Sequence, residues 1–120
     1  MLKIDSVEWG KIVVDGQEYE QVLLADDEVM ERDSVTLHQL FGTTHQMSDL
    51  EVEKLLAGKP EVIIIGNGWD GVMELNKKLA VRSKKLKVEV KVLRTPAAVE
   101  EYNRLVAKGK KVNALIHTTC

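Results

Sequence analysis

An α/β fold with a mainly parallel sheet is what the sequence predicts, and three observations carry that expectation. Residues 61–116 read strand, helix, strand, helix, strand, an order that right-handed crossovers convert into parallel neighbours. Val62-Ile63-Ile64-Ile65 is an unbroken β-branched run, the pattern of a strand covered on both faces and the candidate centre of the sheet. The chain opens differently, with strand-like residues from Leu2 to Leu24 interrupted at Asp15-Gly16. That dipeptide suits a type I′ hairpin turn, whose two central residues both need positive φ, so the start reads as an antiparallel meander.

The elements follow in order. Asp26-Asp27-Glu28 reads as a turn, and residues 29–47, with Gly42-Thr43-Thr44-His45 among them, show no clean period and read as loop with one short element. Ser48 and Glu51 form a capping-box pair, Leu50, Leu55 and Leu56 supply an apolar side, and Gly58 with Pro60 ends that helix. After the glycine loop at 66–71, Val72, Leu75, Leu79 and Arg82 align on a helix expected over Val72–Lys85. Lys87 to Val92 alternates strictly, as a strand with one polar face does. Thr95-Pro96 reads as an N-cap and first helical residue, with Ala98, Val99, Tyr102, Leu105 and Val106 on the core side. Gly109 closes this helix, and Lys111–Ile116 is the last strand.

Length and composition narrow the class. With 120 residues the chain suits one domain, 1–120, and its 30% charged and 44% hydrophobic residues are those of a folded globule. The longest aliphatic runs are four residues, against roughly 20 for a helix that crosses a bilayer, so no membrane association is expected. A single cysteine, Cys120, closes no internal disulfide, and the N-terminus has neither a secretory h-region nor an organelle presequence pattern, which makes the cytoplasm the expected location. The net charge of −2 conceals a balance of −8 over residues 1–60 and +6 over residues 61–120. Such halves can pair within the fold, meet head to tail in a homo-oligomer, or offer a basic face to an anion. Lys77, Lys78, Arg82, Lys84, Lys85, Lys87 and Lys91 are the densest basic stretch, but a pI near 5.9 and the lack of interleaved aromatics favour a solvated face over nucleic acid.

Candidate chemistry centres on Gly66-Asn67-Gly68-Trp69-Asp70-Gly71. The run matches G-x-G-x-x-G between a buried strand and a helix, where backbone N–H groups and a helix N-terminus can hold phosphate. The acidic residue that a dinucleotide site wants at the end of the next strand is absent, since that end is Leu93-Arg94. A tight turn is the simpler use of these glycines. If the two strands are parallel neighbours, Arg94 and Thr95 emerge beside the loop, and a crevice at Gly66, Asn67, Gly68, Trp69, Arg94 and Thr95 becomes the candidate binding edge for a small anion. Trp69 is read as a lid, a partner anchor or a side chain folded onto the sheet. His38, His45, His117 and Cys120 are the only soft ligands, too few in any one pattern for zinc, and no nucleophile, base and orienter set is present. No cofactor or metal is expected.

Four motifs in order, Ile63-Ile64-Ile65-Gly66-Asn67-Gly68, Leu93-Arg94-Thr95-Pro96-Ala97-Ala98, Tyr102-Asn103 and Gly109-Lys110-Lys111-Val112, resemble a small single-domain α/β family of unknown biochemical function found in archaea and bacteria. Its eukaryotic relatives include mitochondrial complex I assembly factor three and the adipogenesis-associated domain protein. The resemblance implies a three-layer α/β fold: a central mixed, mostly parallel sheet, with helices on one side and the N-terminal β-hairpin plus a helix on the other. Gly66, Gly68, Thr95, Tyr102 and Asn103 match its pattern, with Tyr102 and Asn103 as a candidate structural clasp. Lys110, Lys111 and Asn113 stand where family members often have arginines and an alanine, and the resemblance supplies no catalytic residue.

The expectation is a non-enzymatic cytoplasmic binding or assembly-type domain with a protein partner. The rival is a small-molecule protein or enzyme that holds an anion or nucleotide-like ligand at Gly66, Gly68, Arg94 and Thr95.

Overall fold

The computed structural model describes residues 2–120 and has a mixed α/β fold of two sheets and four helices. Strands β1 (Ile4–Glu8), β2 (Lys11–Val14) and β3 (Gln17–Tyr19) form an antiparallel three-stranded sheet. Asp15 and Gly16 take φ of 46° and 83°, the double positive φ that the β2–β3 hairpin requires. A second such turn, Asp26 and Asp27 at φ 50° and 60°, joins β4 (Val22–Ala25) to β5 (Glu28–Glu31).

The larger sheet has the order β5-β4-β8-β6-β7, where β6 is Val62–Asn67, β7 is Glu89–Leu93 and β8 is Val112–His117. Ile64 of β6 lies opposite Lys91 of β7 and Ala114 of β8, both parallel, whereas β4 runs antiparallel to β8 and to β5. Parallel pairing therefore holds for β7, β6 and β8 alone. The expected meander ends early because Val22-Leu23-Leu24-Ala25 is buried along its whole length and leaves the small sheet to join β8.

Side chains of β6 alternate between two cores. Ile64 packs with Ile4, Ile12 and Val14 of the small sheet and with Ala98, Tyr102 and Leu105 of α4 (Thr95–Ala107). Ile63 and Ile65 pack with Leu23, Leu115, Val52 and Leu55 of α2 (Asp49–Leu56) and Leu79 of α3 (Lys77–Lys85). Burial of both faces is why the run carries no polar alternation.

Helix starts follow local chemistry with two exceptions. Ser48 accepts from the Glu51 N–H at 3.2 Å and the Glu51 carboxylate accepts from the Ser48 N–H at 3.1 Å, the full capping box. α3 begins five residues later than its apolar spacing suggests, because Val72 and Met73 donate their N–H groups to Cys120 and Asn67 and Asn76 supplies the cap to Leu79. α4 is capped at Arg94 without a side-chain bond, and the Thr95 hydroxyl is used elsewhere. The segment expected to be loop with one short element holds two, β5 and α1 (Ser34–Phe41), the latter capped by Asp33 through Thr36.

Candidate functional site

Because β6, β7 and β8 are parallel, their carboxyl ends release the glycine loop, the start of α4 and the final residues of the chain at one edge. Thr95, fully buried, knits the three together. Its Oγ1 accepts from the Gly68 N–H at 3.0 Å and donates to the His117 carbonyl at 2.5 Å, while its own N–H donates to the Gly68 carbonyl at 3.2 Å. The hydroxyl read as a helix cap is thus a strand-to-strand tie.

The glycines serve two different ends. Gly68 has φ of 105°, and a Cβ there would fall 2.2 Å from the Cys120 backbone carbon. Gly66 needs no special φ; a Cβ would meet the side chains of Ile116 and Ala98 at 3.1 and 3.2 Å, so close packing, not backbone freedom, selects glycine. The loop's N–H groups are already taken. Trp69 donates to the Thr119 carbonyl at 2.8 Å, and Asp70 and Val72 donate to the Cys120 backbone oxygen at 3.0 and 3.2 Å. The tail thus takes the N–H groups of the loop that the sequence offers as a candidate anion cradle.

What stays free at this edge is small. Arg94 is exposed and has neither ion pair nor hydrogen bond from its guanidinium among the described residues. It lies with Asn67 against Gly71, where an added Cβ would be 3.5 Å from Arg94 Nε and 3.6 Å from Asn67 Nδ2. Asn67 Oδ1 and Trp69 Nε1 are buried without a partner. Asn103 instead brackets the backbone of Ile4, accepting from its N–H at 3.0 Å and donating to its carbonyl at 2.8 Å. Tyr102 is buried beside it, and burial, with Asp27 and Asp15 adding to it, pushes its phenol well above the usual range.

A buried polar network behind this edge was missed by sequence reasoning. Arg32 and Glu51 pair at 2.7 Å with both side chains buried. Arg32 also donates to Gln21 Oε1 at 2.8 Å and to the carbonyls of Thr44 and Gln46, which ties the 43–47 segment down. Gln21 Oε1 receives His117 Nδ1 at 2.8 Å as well, so His117 carries its proton on Nδ1 and its Nε2 accepts from Thr119 Oγ1 at 3.2 Å. Burial, followed by the Arg32 guanidinium and His45, holds the His117 ring down to about 4. His45 contacts that ring edge-on, with centroids 5.1 Å apart. The signal available in sequence was Arg32, the only Lys or Arg among eight acids in residues 26–53.

The helical side of the large sheet shows a second feature. Among the described residues ten large hydrophobic side chains are exposed, and eight of them, Val35, Leu40, Phe41, Leu50, Val72, Leu75, Val81 and Leu86, belong to α1, α2, the segment entering α3, or α3 and its cap. A groove of about 430 Å³ runs between α1 and α2, floored by Leu23, Met30 and Leu37 and rimmed by Glu31, Asp33 and Asp49.

Architecture and edge together define a mixed α/β domain whose strand ends are closed by its own tail. The chain belongs to the family described as protein of unknown function (DUF498/DUF598), which matches residues 4–117. It is similar to the solved structure named MT938, at 31% identity over 100% of both chains with a TM-score of 0.77. The conserved hypothetical protein PH1505 from Pyrococcus horikoshii OT3 is similar at 27% identity over 98% of this chain and 99% of that one, TM-score 0.83. A Bordetella pertussis protein described as a Mth938-like domain shares the fold at 18% identity, covering 97% of this chain and 85% of that one, with a TM-score of 0.63. None of these names carries a function. No helix among the described residues is long and apolar enough to cross a membrane.

Proposed function

We propose that this chain is a non-enzymatic binding or assembly-type domain of the cytoplasm that engages another protein through its α1–α2–α3 side. One observation carries the reading: among the described residues eight of the ten exposed large hydrophobics belong to α1, α2, α3 with its cap, or the segment entering α3. Apolar side chains so concentrated, with polar residues around them, mark interaction surfaces. The filled glycine cradle and the resemblance to assembly factors support the same conclusion, and the two apolar clusters on either side of β6 support a three-layer domain over residues 1–120. To test it, a photo-crosslinking side chain is placed at Leu40, Val81 or Trp9 in the host cell. Discrete protein adducts at Leu40 and Val81 and none at Trp9 are expected; a chain without adducts at Leu40 and Val81 overturns the reading.

A second reading keeps the strand-end edge as a small polar ligand site. It is favoured by the unpartnered Asn67 Oδ1 and Trp69 Nε1 beside the free Arg94 guanidinium. Native mass spectrometry of the purified protein decides it, since a ligand held there adds a discrete mass that is released on unfolding.

A further inference from the structure

The helical side is not uniform in charge. At the β5 and α1 end, Glu28 and Asp33 are exposed and have no ion-pair partner among the described residues, whereas Glu31 shares the face of its partner Val22 and turns to the small sheet, where it accepts from the Glu20 N–H. At the α3 end, Lys77, Lys84, Lys85 and Lys87 are exposed and equally without an ion-pair partner among the described residues. Between them the three acids of α2 are paired within the chain, Asp49 with Lys78 at 3.1 Å, Glu53 with Arg82 and Glu51 with Arg32, and Lys54 lines the α1–α2 groove without an ion-pair partner among the described residues. Each end also carries its own apolar anchors, Leu40 and Phe41 at 61% and 37% exposure beside the acids, Val81 and Leu86 at 55% and 59% beside the lysines.

The sheet sets these ends apart in a fixed order. α1 borders Met30 of β5 and Leu23 of β4, α2 packs on β4 and β8, and α3 packs on β7 at the opposite edge. The face therefore reads apolar-acidic, mostly paired, apolar-basic from one edge to the other.

We propose that the partner for this face is a second copy of the same chain, in a two-fold dimer that sets α1 of each protomer on α3 of the other. The proposal rests on the reading of this side as a protein-binding surface and names its occupant. An isologous interface requires a patch that is complementary to itself. A two-fold axis lying in the interface and running along α2 exchanges the two ends, so each acidic end meets a basic end twice, and Leu40 and Phe41 of one copy come onto Val81 and Leu86 of its partner. Charge complementarity selects this arrangement over its alternative. An axis across α2 would set acid on acid and lysine on lysine, which costs affinity. A standard interface takes about 800 Å² from each partner. That is about an eighth of the 6580 Å² this chain exposes, within the reach of one three-helix face.

The test uses sedimentation velocity and native mass spectrometry of the full chain from micromolar to near-millimolar concentration. A dimer is expected that weakens as salt rises, and Leu40→Glu should raise its dissociation constant at least about tenfold while melting temperature holds. Two charge variants fix the geometry. Glu28→Lys, and separately Lys84→Glu with Lys85→Glu, should each weaken self-association, and mixing the two should restore a mixed dimer. A monomer at every concentration overturns the proposal, as does a dimer indifferent to Leu40→Glu or a mixture that fails to recover. A monomer that still crosslinks to a different protein at Leu40 in the cell removes the second copy and leaves the binding-surface reading standing.

Discussion

Gly68 and Thr95 carry the strand-end closure one contact at a time. Gly68→Ala puts a β-carbon into the Cys120 backbone at a φ of 105°, and it should cost about 2–4 kcal/mol. Gly66→Ala meets the Ile116 side chain at 3.1 Å, which can turn, and the Ala98 β-carbon at 3.2 Å, which moves only with α4, and should cost about 1–2 kcal/mol. Asn67→Ala removes an oxygen that has no partner and should be cheapest of the three. Chemical denaturation ranks them, and equal midpoints would contradict the geometry. Thr95→Val strands the Gly68 N–H and the His117 carbonyl and should lose about 1–3 kcal/mol, with Thr95→Ser recovering most of it. His117 gives a pH signature. Its ring titrates near 4 when folded, against 6.5 for an unperturbed histidine, so between those values the unfolded chain binds more protons. Stability should fall as pH drops from 6.5 to 4, by on the order of 3 kcal/mol from this group, and level off below. His117→Gln should flatten that segment of the stability profile; an unchanged slope would assign it to other groups.

At the scale of elements, what was legible in sequence is what local chemistry alone decides. The Ser48–Glu51 capping box, the Asp15-Gly16 turn and the Val62–Ile65 run each depend on neighbours in sequence, and each forms where the residues place it. Long-range partners decided the rest. Val72 and Leu75 have helical spacing, but the tail takes the Val72 N–H and α3 starts at Lys77. Thr95 has the chemistry of a cap, and its hydroxyl goes to β6 and β8 instead. The candidate edge was legible as a meeting of Gly66, Gly68 and Thr95, whereas its occupant was not, because nothing in the loop's own residues signals that Thr119 and Cys120 return to it. α1 was illegible for a different reason: of Val35, Leu37, Leu40 and Phe41 only Leu37 is buried, so apolar pattern and burial part company. Two expectations follow. In the monomer, at dilution below the dimer's dissociation constant, amides of α1 should exchange at least about a hundredfold faster than those of α4, which buries five side chains, and comparable protection there would argue against an α1 left uncovered by its own chain. Arg32→Met leaves Glu51 buried and unpaired, and should cost about 3–5 kcal/mol and loosen residues 43–47, which backbone amide spectra would register.

Across the whole molecule the charge asymmetry and the two faces of the large sheet belong together. Residues 1–60 carry a balance of −8 and residues 61–120 one of +6, and the fold uses part of that difference internally at Asp49–Lys78, Glu53–Arg82 and Asp26–Lys111. Part of the remainder, Glu28 and Asp33 against Lys77, Lys84, Lys85 and Lys87, lies at opposite ends of the helical side, while the small sheet and α4 seal the other face around Ile64. The central claim is that this chain's strand ends are closed by its own tail and its working surface is elsewhere. Titration of phosphate, sulfate and a nucleotide into the labelled protein, read at the backbone amides, tests this most directly. The account predicts strong exchange protection at Trp69, Asp70 and Val72 and no ligand-dependent shifts at Gly66, Gly68, Thr95 or Ala97 at millimolar concentration. Saturable shifts at those amides, lost in Arg94→Ala, would contradict it and return the binding site to the strand-end edge.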